Sequence, residues 1–339
     1  MTTPAREENA RKGSAARFDP SALDIDCAAA TQRIEEAMRQ IVAGRLRRRG
    51  AVVAVSGGVD SSVCAALAAR ALGPKRVLGL LMPERDSSPG ATSRAKTLCE
   101  GLGVDYVIED IAPALEALGC YRQRDEAIRQ LFPEYGPRYR QKIAVAENLL
   151  GRDRVNYFNL IVEPPDGCRE KRRMPLEVYL QVVASTNMKQ RTRKLLEYYH
   201  AERLNYAVLG TPNRLEYDLG FFVRGGDGLA DLKPIAHLYK TQVYALAQYL
   251  GVPEEICRQP PSTDTYSLPQ TQEEFYFALP YDQMDLALYG FLHDIPAEEA
   301  GQVLGLTAEQ VQRVYRDIVN KRRMADRLLR RAILVEETE

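Results

Sequence analysis

The sequence predicts an α/β fold: a doubly wound parallel sheet with helices on both faces and a helical C-terminal section. Four short apolar runs, typical of buried parallel strands, lie at residues 51–55, 76–82, 104–108 and 205–209. Residues 63–71 and 91–101 are predicted as helices between the first three runs. Strands that alternate with helices indicate a parallel sheet, in which ligands bind at the carboxyl ends of the strands.

The composition limits the classes of protein to which the chain can belong. The chain has 339 residues, of which 45% are hydrophobic and 27% charged, which is typical of a globular protein. Lys and Arg together number 46, as do Asp and Glu, so net charge gives no reason to expect a nucleic-acid or membrane partner. The sequence shows no bilayer-spanning apolar run and no secretory signal. Six cysteines without a Cys-x-x-Cys pair argue against a zinc site and favour a cytoplasmic protein.

The sequence predicts one domain over residues 31–330. The polar residues 1–30 are predicted to be disordered, and residues 331–339 form a tail. Residues 120–180, which contain two proline-marked breaks, are predicted as an insertion or a lid-like subdomain. A further helix is predicted to begin at Asn187.

A glycine-rich loop follows the first strand. Its sequence is Ser56-Gly57-Gly58-Val59-Asp60-Ser61-Ser62, and a predicted helix comes directly after it. Strand, glycine turn and helix start place backbone N–H groups against an anion, and the serines add hydroxyl donors. Asp60 suits such a site if a divalent metal ion bridges it to phosphate oxygens. The alternative is a tight strand-to-helix turn with a serine cap; the loop is neither a Walker A motif nor a dinucleotide fingerprint.

This loop resembles the pyrophosphate loop of the N-type ATP pyrophosphatases, which split ATP into AMP and pyrophosphate. Later segments resemble the NAD synthetases of that superfamily. They are Asn187-x-x-x-Arg191, Gly210-Thr211-x-Asn213-x-x-Glu216, Gly225-Gly226-Asp227-Gly228-x-x-Asp231, Leu238-Tyr239-Lys240-Thr241-Gln242-Val243 and Pro261-Ser262-Thr263-Asp264. The resemblance covers most of residues 31–325 and implies a fold of the adenine-nucleotide alpha-hydrolase type.

The resemblance also implies an activity and roles for matched residues. ATP would adenylate the nicotinate carboxylate of deamido-NAD, and ammonia would attack the acyl adenylate to give NAD. Catalytic roles are implied for Asp60, Lys240 and Thr211, and a Mg²⁺ site for Asp60 and Glu216. The implied ATP contacts are residues 56–62, Thr211, Lys240 and Ser262, and the implied dinucleotide contacts are Arg191, Arg224, Asp231 and Lys321.

Three departures from the family pattern fall on the dinucleotide side. Arg224 stands where a lysine is usual, Asn320 where a histidine is usual, and Gln272 where an acidic residue is usual. The same chemistry on another carboxylate, such as a uronic acid or a specialised metabolite, is therefore the alternative function. Residues 1–30 are too short for a glutaminase domain, so free ammonia or a separate glutaminase subunit is implied, together with a homodimeric active unit.

The C-terminal section leaves a further alternative from another class. Thr307-x-x-Gln310 predicts a helix start, and the apolar stripe after it resembles the second helix of a helix-turn-helix. A nucleic-acid-binding protein, or a tRNA-modifying pyrophosphatase, would use such a pair of helices. The neutral charge and the likeness of this section to the NAD synthetases favour a packing unit instead.

Overall fold

A four-stranded parallel sheet lies at the centre of the protein. The structure, a computed structural model, describes residues 18–145, 158–261, 265–271, 276–277 and 279–336. Its strands are β1 (Ala51–Ala54), β2 (Val77–Leu81), β3 (Asp105–Ile108), β4 (Arg140–Val145), β5 (Phe158–Glu163), β6 (Glu170–Arg173) and β7 (Ala207–Leu209). The parallel sheet has the order β3-β2-β1-β7, and Ala51 pairs with Val77 on one side and Ala207 on the other.

Helices connect the strands and form the C-terminal section. In the described residues they are α1 (Cys27–Arg39), α2 (Val59–Leu72), α3 (Ala91–Leu102), α4 (Ala112–Ala117), α5 (Cys120–Arg129), α6 (Leu176–Leu204), α7 (Arg214–Leu219), α8 (Lys240–Tyr249), α9 (Glu254–Cys257), α10 (Tyr281–Leu292), α11 (Ala297–Leu304) and α12 (Ala308–Leu329). None of them is long and apolar enough to cross a membrane.

Both faces of the parallel sheet are covered by helices. Val53 belongs to a core that includes Val63 of α2 and Val243 of α8. Its neighbour Val52 belongs to a second core that includes Ala201 of α6. Successive side chains of a strand point to opposite faces, so β1 contributes to both cores. The doubly wound parallel sheet predicted from the sequence is confirmed.

The N-terminal prediction is wrong for the described part of residues 1–30, because residues 18–30 are folded. The first α-helix begins at Cys27, before the predicted start of the domain. Phe18 is only 3% exposed, and its ring stacks on that of Tyr289 at a centroid distance of 6.0 Å. The prediction failed because an isolated aromatic residue in a polar segment gives no local signal of the distant helix that buries it.

Residues 120–180, predicted as an insertion or lid-like subdomain, contain α5, a three-stranded antiparallel sheet and the first turn of α6. Gln141 of β4 pairs with Val162 of β5, and β5 pairs in turn with β6. The sheet has its own core, in which Ile143 packs with Val182 of α6. This part of the chain therefore forms a second sheet with its own core.

Helix α6 begins at Leu176, well before the predicted start at Asn187. The missed residues 176–186 contain three valines, a threonine and a tyrosine, and such β-branched and aromatic residues are more typical of strands than of helices. Further along the helix, Lys189, Lys194 and Glu197 are buried.

The helical C-terminal section is confirmed, and its last helix, α12, has 22 residues. Thr307 and Gln310 form the predicted capping box, with N–H···O distances of 2.9 and 3.2 Å. Val311 and Ile318 of α12 are fully buried in a core shared with α10 and α11. The apolar stripe thus packs inside the protein, and the exposed residues 331–336 extend beyond α12.

Candidate nucleotide-binding and active site

The predicted phosphate loop connects β1 to α2 at the carboxyl edge of the parallel sheet. Gly57 has a φ of +81°, and a Cβ atom at this position would lie 2.5 Å from the carbonyl oxygen of Ala91. Both the conformation and the close approach require glycine. Gly58 is the N-cap of α2 and supplies no side-chain cap to the first-turn amides of that helix. Backbone amides at a helix start are well suited to bind phosphate oxygens.

The serine hydroxyls shape the loop itself. Ser61 and Ser62 donate hydrogen bonds to the carbonyl oxygen of Gly58, at 3.0 and 2.8 Å. The Ser61 hydroxyl oxygen also accepts a hydrogen bond from the backbone N–H of Ser56, at 3.2 Å. The hydroxyl protons of Ser61 and Ser62 are thus used inside the loop, which leaves backbone amides as the main donors to a ligand.

Asp60 joins three elements of the fold. Its carboxylate accepts a hydrogen bond from Nζ of Lys240, at the start of α8, and another from Nδ2 of Asn213, at 3.1 Å. Asn213 and Glu216 form the capping box of α7, in which each side chain accepts the backbone N–H of the other, at 3.1 and 3.2 Å. Three of the residues predicted for the site therefore lie together, with Asn213 as an additional member.

Lys240 is a buried cation, with 2% of its surface exposed. Burial disfavours the ammonium form, but the carboxylates of Asp60 and Glu216 outweigh burial and raise the pKa of Lys240 above its usual value. The side chain therefore stays charged at neutral pH. Its Nζ atom also lies 5.7 Å from the ring centroid of Tyr244, one turn further along α8.

Asp285 of α10 holds the start of α8 in place. Its two carboxylate oxygens accept the backbone N–H groups of Lys240 and Thr241, at 3.2 and 2.7 Å. The residue is completely buried, and burial raises the pKa of Asp285 to about 6 despite these hydrogen bonds. A carboxylate from a distant helix thus fixes the backbone that carries the Lys240 side chain.

Thr211 lies beyond the end of β7, where it is half-buried. The carbonyl oxygen of its neighbour Gly210 lies 4.0 Å from Sγ of Cys64, one turn after Asp60 on α2. Burial, Asp60 and Glu216 all raise the pKa of Cys64. Thr211 therefore follows directly on a residue that packs beside the Asp60 cluster. Ser262, the remaining predicted ATP contact, is outside the described residues, as is Gln272.

Arg191 and Arg224, two predicted dinucleotide contacts, lie side by side. Nε of Arg191 donates to the carbonyl oxygen of Arg224 at 3.3 Å, and a guanidinium nitrogen of Arg224 donates to the carbonyl oxygen of Arg330, also at 3.3 Å. Both arginine residues are exposed to solvent. The structure therefore places the Arg191 guanidinium group against the backbone of Arg224, and the Arg224 guanidinium group against the end of α12.

Asp231 and Lys321, the other two predicted dinucleotide contacts, have partners within the fold. Asp231 accepts the backbone N–H of Val208 in β7 at 2.8 Å and the hydroxyl of Tyr198 at 3.3 Å. Lys321 on α12 donates to the carbonyl oxygen of Tyr276 at 2.6 Å. These contacts attach both residues to different elements, and the structure shows no direct contact between them in the described residues.

A sequence model of the NAD synthase family matches residues 30–158 and 137–325. The chain belongs to the NAD synthase family. It is 55% identical over 315 residues to an NH(3)-dependent NAD(+) synthetase of Rhizobium rhizogenes, which covers 93% of this chain and 95% of the relative. It is 57% identical over 306 residues to the enzyme of the same name from Rhizobium meliloti, with 90% and 91% covered.

Solved structures are similar to this chain in fold. A structure of NMN synthetase from Francisella tularensis matches with a TM-score of 0.63 and 23% identity, covering 92% of this chain and 99% of that one. A structure of NH3-dependent NAD synthetase from Campylobacter jejuni matches with a TM-score of 0.59 and 22% identity, covering 92% and 100%. At these identities the likeness concerns the fold alone, and the adenine-nucleotide alpha-hydrolase type expected of an NAD synthase is confirmed.

Sequence reasoning missed two groups that complete the site. Asn213 lies in a quoted motif, but its contact with Asp60 depends on the packing of α7 against α2. Asp285 is the single acidic residue in the apolar run 284–288, and an acid in such a run is the signal that identifies a buried, hydrogen-bonded carboxylate. Neither partner was evident from spacing along the chain.

The raised pKa of Asp285 predicts a pH dependence of stability. The unfolded chain ionises this group near the ordinary pKa of 3.8, whereas the folded protein retains the proton until about pH 6. Between these values the folded state binds more protons, so the contribution of Asp285 to stability falls as pH rises, by about 3 kcal/mol in total. Urea unfolding at pH 4 to 7 measures this loss of stability. Because Asp285→Asn lacks the titrating group, it should gain stability relative to wild type as pH rises.

The control for this measurement is Asp282→Asn, which removes an exposed carboxylate from the same helix. Its stability relative to wild type should follow a flat course over the same pH range. If the difference in unfolding free energy between Asp285→Asn and wild type also did not change with pH, the raised pKa of the Asp285 carboxyl group would be contradicted.

Proposed function

We propose that this protein catalyses the ATP-dependent amidation of deamido-NAD with ammonia, forming NAD, AMP and pyrophosphate. The observation that carries the proposal is high identity, along nearly the whole chain, to relatives named NH(3)-dependent NAD(+) synthetases. The cluster of Asp60, Glu216 and Lys240 beside the phosphate loop supports it, because splitting ATP requires groups that bind and neutralise phosphates.

The first step is an attack of the nicotinate carboxylate oxygen on the α-phosphorus of ATP. The bond to the bridging oxygen breaks, pyrophosphate leaves, and a mixed anhydride of carboxylate and AMP remains. The amides at the start of α2 would bind phosphate oxygens, and the Lys240 ammonium would offset the charge that develops on pyrophosphate. Thr211 would contact ATP from the end of β7.

The proposal includes a divalent cation, because the oxygen donors in the site are suited to bind one. Asp60 and Glu216 supply hard carboxylate oxygens, and both lie close enough to Lys240 to act on its pKa. Such a pair is typical of Mg²⁺ sites in which substrate phosphates complete the coordination. When bound, Mg²⁺ would neutralise phosphate charge.

The second step is an attack of ammonia on the acyl carbon: the C–O bond to AMP breaks, AMP leaves, and the nitrogen loses a proton to give the amide. Arg191 and Arg224, two exposed arginines joined by a hydrogen bond from Arg191 to the Arg224 carbonyl oxygen, would contact the anionic dinucleotide. Lys321 and Asp231 would contribute from α12 and from the end of β7. A carboxylate accepts more than the two hydrogen bonds that Asp231 makes within the fold, so this role remains compatible with the structure.

The proposal includes a homodimer in the cytoplasm. Leu195 and Tyr199 on α6 are 68% and 58% exposed, one and two turns beyond Arg191, and a second copy of the chain is the occupant we propose for this face. Light scattering of the purified protein measures its mass, and a monomer would contradict the proposed homodimer.

The cysteines support the proposed cytoplasmic location. All six, which lie in the described part of the chain, are free thiols, in keeping with a reducing compartment.

The test of the function is pyrophosphate release from ATP and Mg²⁺ with ammonium, measured with and without deamido-NAD. We expect strong stimulation by deamido-NAD and formation of NAD in an amount equal to pyrophosphate. Glutamine in place of ammonium should not support turnover. Binding of ATP without stimulation by deamido-NAD would overturn the assignment of the substrate, and a screen of other carboxylic acids in the same assay would follow.

A further inference from the structure

We propose that Lys189 is a positioning residue. Its side chain holds the segment after β2, which lies against the phosphate loop, in place against a second segment, residues 265–271. The proposal rests on the proposed function, because its main readout is the use of ATP. Lys189 lies on α6 and is 1% exposed. None of the residues in its network belongs to the site described above.

All three protons of the Lys189 ammonium group are used in hydrogen bonds. Its Nζ atom donates to a carboxylate oxygen of Glu84 at 3.0 Å, to one of Asp86 at 2.5 Å, and to the backbone carbonyl oxygen of Thr265 at 2.8 Å. Glu84 and Asp86 follow β2 closely, whereas Thr265 lies far along the chain. One buried cation therefore joins two segments that are far apart in the sequence.

The fully buried part of the network around Lys189 is balanced in charge, and the half-buried Asp125 is a further partner of Arg124, at 2.8 Å. Arg124 of α5 donates to the same Asp86 oxygen at 2.5 Å, and the hydroxyl of Tyr121 donates to Glu84 at 2.8 Å. Burial would raise the pKa of Asp86, but Lys189 and Arg124 outweigh it and hold the pKa below its usual value. Two buried cations thus pair with two buried carboxylates, and such a network is rigid when all of its hydrogen bonds are made.

The segment that begins with Glu84 reaches the phosphate loop. The carbonyl oxygen of Ala91 lies so close to Gly57 that a side chain there is excluded, and Arg94 donates to the carbonyl oxygen of Gly57 at 3.4 Å. On α6, Arg193 donates to the carbonyl oxygen of Met82 at 3.3 Å, one turn after Lys189. The position of this segment therefore affects the shape of the loop that binds phosphates.

The other side of the brace is fixed by the antiparallel sheet. The backbone N–H of Leu268 donates to the carbonyl oxygen of Gln141 in β4 at 3.0 Å, and the backbone N–H of Gln141 donates to Ser267 Oγ at 2.8 Å. Residues 265–271 thus lie along the edge of β4. Lys189 connects this second sheet, through Thr265, to the phosphate-loop side of the parallel sheet, which gives residues 120–180 a role in ordering the nucleotide site.

The experiment compares Lys189→Met with Arg124→Met. Both variants remove one buried cation from Asp86, but only the first removes the bond to Thr265. We expect Lys189→Met to raise KM for ATP at least about tenfold, since small displacements in a phosphate site have large effects, and Arg124→Met to stay within about threefold of wild type. Amide hydrogen exchange of residues 265–271 should accelerate in Lys189→Met alone. Equal effects of the two variants on both readouts would overturn the proposal.

A double variant separates bracing from simple stability. Lys189→Met leaves two buried carboxylates with one cation, which destabilises the fold. In Glu84→Gln with Lys189→Met the charges balance again, so thermal stability should recover while KM for ATP and the exchange at 265–271 stay raised. Recovery of KM would overturn the proposal. If deamido-NAD does not stimulate the wild type, the proposed function fails; the dissociation constant of ATP, measured by calorimetry, then replaces KM.

Discussion

Lys240→Met is expected to lower turnover by about 10³-fold, the loss that follows removal of one preorganised charge from a phosphate-transfer site. Lys240 is buried, keeps its proton because of Asp60 and Glu216, and is held at its backbone by Asp285. Methionine preserves most of the side-chain volume but carries no charge. The measurement is pyrophosphate release at saturating ATP, deamido-NAD and ammonium, which isolates turnover from binding.

Two controls accompany this variant. Lys75→Met removes a lysine whose ion pair with Asp105 is largely exposed, and turnover should remain at the wild-type level. Lys240→Arg keeps the charge but replaces a compact ammonium group with a planar guanidinium group, so activity between those of the wild type and Lys240→Met is expected. A Lys240→Met protein that is folded and turns over like wild type would exclude any role of the ammonium group in the chemistry.

Local patterns account for the parts of the fold that the sequence predicts correctly. β1 and β2 are uninterrupted apolar runs in the chain, and both are buried in the sheet. The phosphate loop is recognisable because strand, glycines and helix start are contiguous, and the capping box at Thr307 spans only four residues. Each of these features is set by neighbours in sequence, which is where pattern reasoning is strongest.

Contacts between distant residues lie beyond such patterns. Lys240 and Asp60 are separated by 180 positions, and Lys240 and Asp285 by 45. Family resemblance placed the first two residues in one site by role, but nothing in the spacing shows that a carboxylate on α10 fixes the start of α8. These contacts could not be predicted because tertiary packing decides which buried charges pair, whereas the sequence shows only that each charge exists.

Residue type explains the error in α6. The missed residues 176–186 include three valines, a threonine and a tyrosine, which are more typical of strands, and two of their leucines are exposed where an apolar stripe would be buried. From Asn187 onward the family resemblance marks the helix. The pairing of Lys189 with Glu84 and Asp86 is decided by tertiary packing, so spacing along the chain gives no sign of it.

Asp60→Asn and Glu216→Gln are expected to reduce Mg²⁺-dependent pyrophosphate release by at least about 10³-fold, because each removes a charged oxygen ligand from the proposed cation site. The two substitutions should preserve the folded state, although Asp60→Asn removes the charge paired with the buried Lys240 and should lower thermal stability. Asn retains an oxygen that can accept the Lys240 hydrogen bond, and Gln retains the oxygen that accepts the Asn213 N–H in the capping box. Circular dichroism and thermal unfolding check that expectation.

The decisive measurement is a Mg²⁺ titration of each variant at fixed ATP. A lost metal ligand raises the Mg²⁺ concentration needed for half-maximal activity, whereas a simple loss of charge balance lowers turnover at every Mg²⁺ concentration. Asp218→Asn is the matched control, since it removes a carboxylate from the same short helix as Glu216 and its partner is Arg214. Unchanged turnover in Asp60→Asn and Glu216→Gln, with the normal Mg²⁺ requirement, would rule out these two residues as the cation site and leave Lys240 as the principal phosphate-neutralising group.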